Sequence, residues 1–170
     1  VGATSSTLWD GRSFAGRIVE GLPSAAEREE LILSQCAHVC QRSVRFGRWL
    51  YMRTYHCGFH DFPPEMLFDL EADPFEQVEI ASRHPELCRE GARRLEQWHA
   101  AQMSRLTARC AESGQTPVDP MQTVLAEGGP FHALTDTARS PLPKYLKRLE
   151  STGRAAAAER VGLPLGRGAA

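Results

Sequence analysis

The stretch from Arg42 to Tyr55 leaves this chain the fewest choices. Ser43-Val44-Arg45-Phe46 is followed by Gly47-Arg48 and then by Trp49-Leu50-Tyr51-Met52-Arg53-Thr54-Tyr55. Two β-rich segments joined at a short turn containing glycine predict a hairpin. Alternation puts Trp49, Tyr51, Arg53 and Tyr55 on one face, and Leu50, Met52 and Thr54 on the other. A lone hairpin is marginal in water, so further elements must cover it. Leu31-Ile32-Leu33 offers a strand before it. Met66-Leu67-Phe68-Asp69-Leu70 offers another after the loop that ends at Pro63-Pro64.

The cover is a helix. From Pro85, the residues Leu87, Gly91, Leu95, Trp98, Gln102 and Leu106 recur every three or four positions. That spacing makes one buried stripe, with Arg89, Glu90, Arg93, Arg94 and Glu96 mostly off it. The helix is predicted to run to about Ala111, where Ser113-Gly114 ends it. A shorter helical turn is expected from Asp73-Pro74-Phe75-Glu76 through Ile80-Ala81, because Asp73 can cap and Pro74 suits the first helical position. Strands followed by one long helix give an α+β class: a small antiparallel β-sheet of about four strands, packed against a long C-terminal helix and followed by an irregular, helical tail. Residues 1–30 read as an entry loop, 31–112 as the α+β unit and 113–170 as a C-terminal extension. In that extension, helices are predicted around Tyr145–Leu149 and from Ala155 to Ala158, with fraying beyond Gly162.

Charge and composition narrow the partners. The 170 residues carry a formal net charge of -1, so the basic excess of a nucleic-acid or membrane-surface binder is missing. No apolar run approaches the roughly 20 residues that span a bilayer. The chain opens on Val1 without a basic-then-apolar leader. It is therefore expected to be a piece of a longer polypeptide. Cys36, Cys40, Cys57, Cys88 and Cys110 are odd in number and cannot all pair within one chain. They read as mostly reduced thiols, which favours a cytoplasmic setting.

Cys36-Ala37-His38-Val39-Cys40, with His56-Cys57-Gly58-Phe59-His60 after the hairpin, invites a zinc reading. The spacing opposes it. On a strand, positions 36 and 40 lie about 13 Å apart, too far for one ion unless the chain bends. Buried thiols in a core strand are the plainer account.

Several segments together resemble arylsulfatase-type enzymes. Trp9-Asp10-Gly11-Arg12-Ser13-Phe14 resembles the lead into their C-terminal subdomain. Ser43 to Tyr51 resembles the hairpin of that subdomain, a basic strand turning at Gly-Arg into an aromatic one. Met66-Leu67-Phe68-Asp69-Leu70-Glu71-Ala72-Asp73-Pro74-Phe75-Glu76-Gln77 resembles the family's LYDL–DP–E stretch, the most specific of the three. Pro85-Glu86-Leu87 and the run to Trp98-His99 fall where the family places its C-terminal helix. Residues 119–132 and the Tyr145 to Arg154 tail resemble extensions of some bacterial members.

The resemblance implies a large catalytic α/β domain upstream, acting on a small sulfate-ester substrate. In the family the nucleophile is a formylglycine made from a Cys/Ser-x-Pro-x-Arg motif, supported by a divalent cation, calcium or magnesium. No such motif and no adjacent Asp-Asp pair occurs here. The chain by itself is thus expected to be inert, with no catalytic residue and no metal ligand of its own. Its implied role is structural and pocket-lining, with Gln35, His38, His56 and His60 as the residues expected near substrate. For Arg42, Arg45, Arg48 and Arg53, surface charge or pairing with acids is expected ahead of anion contact. The alternatives are a stand-alone scaffold or homo-oligomerisation unit, and a zinc-binding module.

Overall fold

The computed structural model describes residues 15–19, 21, 29–58, 60–130 and 142–162. The Trp9 to Ser13 segment, Phe59 and the stretch beyond Gly162 lie outside the described residues. A short helix, α1 (Ala15–Val19), lies within the stretch read as an entry loop.

Four strands form one antiparallel sheet in sequence order: β1 (Glu30–Gln35), β2 (Cys40–Phe46), β3 (Trp49–His56) and β4 (Glu65–Asp69). The hairpin turns at Gly47-Arg48, with Phe46 opposite Trp49. Gly47 has φ +55, and glycine at the first central position of a two-residue turn matches the strand twist. The α+β class with a four-stranded sheet and a long helix is thus as the sequence predicts.

The sheet is apolar on both faces. Val44, Phe46, Tyr51 and Leu67 are buried on one face with Ile80, Cys88 and Leu95. Leu50, Met66 and Phe68 are buried on the other, with Met52 and Leu70 beside them. The helix α2 (Pro85–Ser113) packs on the first face. At about 1.5 Å per residue its 29 residues reach about 44 Å, well beyond strands of five to eight residues. Its buried positions are Cys88, Gly91, Leu95 and Cys110, so Cys88 joins the stripe read from the sequence. Gly114, at φ +68, ends it in the left-handed conformation.

The edges of the sheet differ. Leu67 donates its N–H to Glu79 (3.1 Å) and accepts at its carbonyl from the Ile80 N–H (3.0 Å), so the β4 edge is covered. At β1, Glu30 pairs with Arg94 of α2 at 3.0 Å, while Leu31 and Leu33 remain exposed.

The helical turn expected at Asp73 does not form. Residues 71–80 are turns and irregular chain, and only Ala81–Arg83 makes a single 3-10 turn. Asp73 accepts instead from the Val78 N–H at 2.7 Å, and Glu76 adopts φ +55. Phe75 and Val78 are exposed, so this segment has no apolar face to bury. Downstream, α3 (Pro120–Ala126) follows α2, and α4 (Leu142–Ser151) packs on α5 (Ala155–Gly162). The two helices predicted in the tail are therefore present.

Gly91 sets the helix-to-sheet distance. A Cβ at this position would lie 2.3 Å from Cγ of Tyr51, which is wholly buried. In an open helix, replacing glycine by alanine gains about 1 kcal/mol. Here overpacking costs about 1–3 kcal/mol and opposes that gain. Gly91→Ala is expected to be destabilising in urea melts, whereas Gly114, with open space around it, is unaffected by crowding. A stabilised Gly91→Ala protein would contradict this packing.

Candidate functional site

An antiparallel meander puts the C-terminal ends of β1 and β3 beside the N-terminal ends of β2 and β4. Gln35 closes β1, His38 lies in the β1–β2 connection, His56 closes β3 and His60 lies in the β3–β4 connection. All four residues singled out from the sequence therefore lie at one end of the sheet, opposite the Gly47-Arg48 turn.

Their surroundings differ. Gln35 donates to Gln41 (2.8 Å), and Gln41 donates to Thr54 (3.0 Å), a side-chain ladder across three strands. His38 is exposed. His60 is exposed and stacks on Phe62 with ring centroids 5.3 Å apart. His56 is half-buried. Its Nδ1 accepts from the Gly58 N–H at 3.0 Å, which leaves the ring proton on Nε2. The ring lies against Gly129, where any Cβ would come within 2.5 Å of it. Burial lowers the His56 pKa below its ordinary value, so this imidazole favours the neutral form. Toward an anion it offers a hydrogen bond rather than a charge.

A second group joins the same region, and in it Arg42 pairs with an acid, as expected from the sequence, although away from the surface. Arg42 of β2, His99 of α2 and Asp119 at the start of α3 meet there. Nη2 of Arg42 donates to both Asp119 oxygens at 2.8 and 2.7 Å, and both side chains are 7% exposed. His99 Nε2 lies 2.9 Å from Oδ2 of Asp119, and a carboxylate can only accept there, so the proton is on His99. Asp119 also accepts from the Met121 N–H at 3.0 Å, capping α3. The Arg42 guanidinium lies over the Trp98 ring at 5.4 Å and the Tyr55 ring at 6.0 Å. Its Nε is buried without a hydrogen-bond partner. The Asp-Pro pair at 119–120 was the available signal for this cap, but nothing in the sequence marks Arg42 as its partner 77 positions away.

The remaining arginines behave as the sequence suggests. Arg48 pairs with Asp69 and, at 2.9 Å, with Glu71, and Arg53 faces Glu96 at 3.6 Å. Among the described residues, no three His, Cys, Asp or Glu side chains converge to hold a metal ion. No described helix is long and apolar enough to cross a membrane.

No family model matches the chain, and no curated protein does. A solved structure is similar over part of it, described as "Metabolism of multiple glycosaminoglycans by bacteroides thetaiotaomicron is orchestrated by a versatile core genetic locus (BT33336S-sulf)". The identity is 23% and the TM-score 0.39. The match covers 52% of this chain and 19% of that one, so this chain matches about a fifth of the neighbour's length.

Asp119 controls whether α3 stays docked. Its burial raises the carboxyl pKa, but hydrogen bonds from Arg42, Met121 and His99 outweigh this and hold it below the ordinary value. A depressed carboxylate contributes stability that is complete above the unfolded value of about 3.9 and is lost as pH falls through the lower folded value. Asp119→Asn is expected to cost about 3–5 kcal/mol at neutral pH, because the Arg42 charge stays buried without its counterion. The variant is also expected to lose part of the acid-induced loss of stability expected below about pH 4. Urea melts at pH 7 and pH 3 check both, and an unchanged difference between the two pH values would contradict the assignment.

Proposed function

We propose that this chain is the C-terminal subdomain of a sulfatase-type sulfate-ester hydrolase, with a structural and pocket-lining role. The observation that carries this is the joining of three family-like segments in one folded unit. The basic β2 turns at Gly47-Arg48 into the aromatic β3, the Leu67-Phe68-Asp69 strand pairs beside it, and α2 packs across them. Each segment is weak alone, but their order along the chain matches their adjacency in space.

In this reading the nucleophile and the divalent cation belong to an N-terminal catalytic domain of the same polypeptide. The described residues offer no metal-holding cluster, and the sequence holds no Cys/Ser-x-Pro-x-Arg segment. The chain contributes a wall. Gln35, His38, His56 and His60 occupy the sheet end that would face the pocket, with the neutral His56 able to donate to a sulfate oxygen.

Two measurements test the proposal. The isolated chain is expected to give no turnover of a chromogenic aryl sulfate above buffer, with or without calcium. Turnover would show that its active-site machinery is not elsewhere. The polypeptide made by its own cell is expected to have an intact mass well above 18.8 kDa and to contain a Cys/Ser-x-Pro-x-Arg segment. A native mass near 18.8 kDa would replace the hydrolase reading with that of a stand-alone scaffold.

A further inference from the structure

We propose that Cys36 and Cys40 form a cross-strand dithiol that a small-molecule disulfide, such as oxidised glutathione, converts to an intramolecular disulfide. This is independent of the hydrolase reading. It rests on register. β1 and β2 pair from Glu30 opposite Phe46 to Gln35 opposite Gln41. β1 ends at Gln35, and the same register carried one step further would set Cys36 opposite Cys40. Directly opposed residues in an antiparallel pair have Cα atoms about 4.5–5.5 Å apart, within the range a disulfide spans. Residues opposed in this way put their side chains on the same side of the sheet. Both are thiols in this structure.

The two sulfurs are unequal, which sets the order of events. Cys36 is partly exposed and Cys40 is wholly buried. The Cys36 thiolate attacks one sulfur of oxidised glutathione, and one glutathione thiolate leaves. Cys40 then gives its proton to solvent and attacks the Cys36 sulfur, and the second glutathione thiolate leaves. Two protein thiols become one disulfide, and one oxidised glutathione becomes two reduced molecules. Burial, with the neighbouring Cys36, pushes the Cys40 thiol up to about 11, which suits the resolving position rather than the first attack.

The covalent ring spans only Cys36 to Cys40, so it constrains the unfolded chain little. Such a bond acts as a reversible clasp rather than a structural staple. It would pin the short connection between β1, the exposed edge strand, and β2 next to the Gln35–Gln41 pair. It would do so at the same sheet end as His38 and His56. The zinc alternative uses the same residues but needs further ligands, and none converges among the described residues.

The full chain is equilibrated in glutathione redox buffers, quenched with iodoacetamide and cut with trypsin. The fragment spanning residues 29–42 contains Cys36 and Cys40 and no other cysteine. In the native protein this fragment is expected to be unalkylated and about 2 Da lighter than the dithiol. Cys40→Ser is expected to stop at a glutathione adduct on Cys36. Cys36→Ser is expected to react at Cys40 at least about tenfold more slowly, since the buried thiol must attack alone. The wild-type chain in urea provides a measurement that needs no variant. There the pair is expected to be at least about tenfold less oxidised in the same buffer, because the register no longer opposes the two sulfurs. A native chain alkylated at both residues, or a persistent adduct on wild-type Cys36, overturns the proposal. So does equal oxidation in urea and in native buffer.

Discussion

The contact of Gly91 with the Tyr51 ring is the constraint on which the α+β layering depends. Tyr51 lies in the middle of β3, a strand with neighbours on both sides, and it is completely buried. Its hydroxyl is not lost to water. It donates to Glu65 of β4 at 2.7 Å, so the ring both fills the core and ties two strands together. A helix can approach such a ring closely only where it carries no side chain. Glycine costs about 1 kcal/mol of helix propensity at an interior position, and here that cost is offset by the packing it permits. The position of α2 then decides where Cys88, Leu95, Trp98 and His99 fall along the sheet.

The second tie is the buried group of Arg42, Asp119 and His99. Isolated surface ion pairs contribute little, but this pair is almost fully shielded from water. Asp119 accepts four hydrogen bonds at once: two from Arg42, one from His99 and one from the first free N–H of α3. The aromatic rings of Trp98 and Tyr55 flank the guanidinium and exclude solvent around it. The chain after α2 is thereby fastened back onto β2. Gly129, just beyond α3, is then free to lie against His56.

The hairpin and α2 were legible because their signals are local: alternation, a glycine turn, and a stripe every three or four residues. The two Asp-Pro pairs show where local signals fail. Asp73-Pro74 and Asp119-Pro120 look alike as helix starts, yet only the second begins a helix. The difference lies in the apolar residues just after each proline. After Pro120, Met121 is 2% exposed and gives the turn something to pack. After Pro74, Phe75 and Val78 face solvent, while Glu79 and Ile80 are drawn onto the β4 edge by Leu67. Tertiary anchoring decides between two nearly equal local preferences. The partner of Arg42 was hidden for the same reason, since a charge in a strand gives no local sign that a carboxylate 77 residues later will bury it.

The two ends of the sheet differ in how their polar groups are engaged. At the Gly47-Arg48 end, Arg48 is bound to Asp69 and Glu71, and Asp69 also accepts from the backbone of Glu71 and Ala72. Those carboxylates already neutralise the arginine, so that end closes on itself. At the other end, the chain leaves His38 and His60 exposed, keeps His56 neutral, and buries an arginine whose Nε has no partner. Two exposed imidazoles and a neutral, half-buried one thus share this end of the sheet with a buried arginine. The meander places them together although they are spread over residues 35–60, because each strand reversal returns the chain to the same end. The proposed pocket-lining role therefore draws support from topology as well as from the kinds of side chain this end gathers.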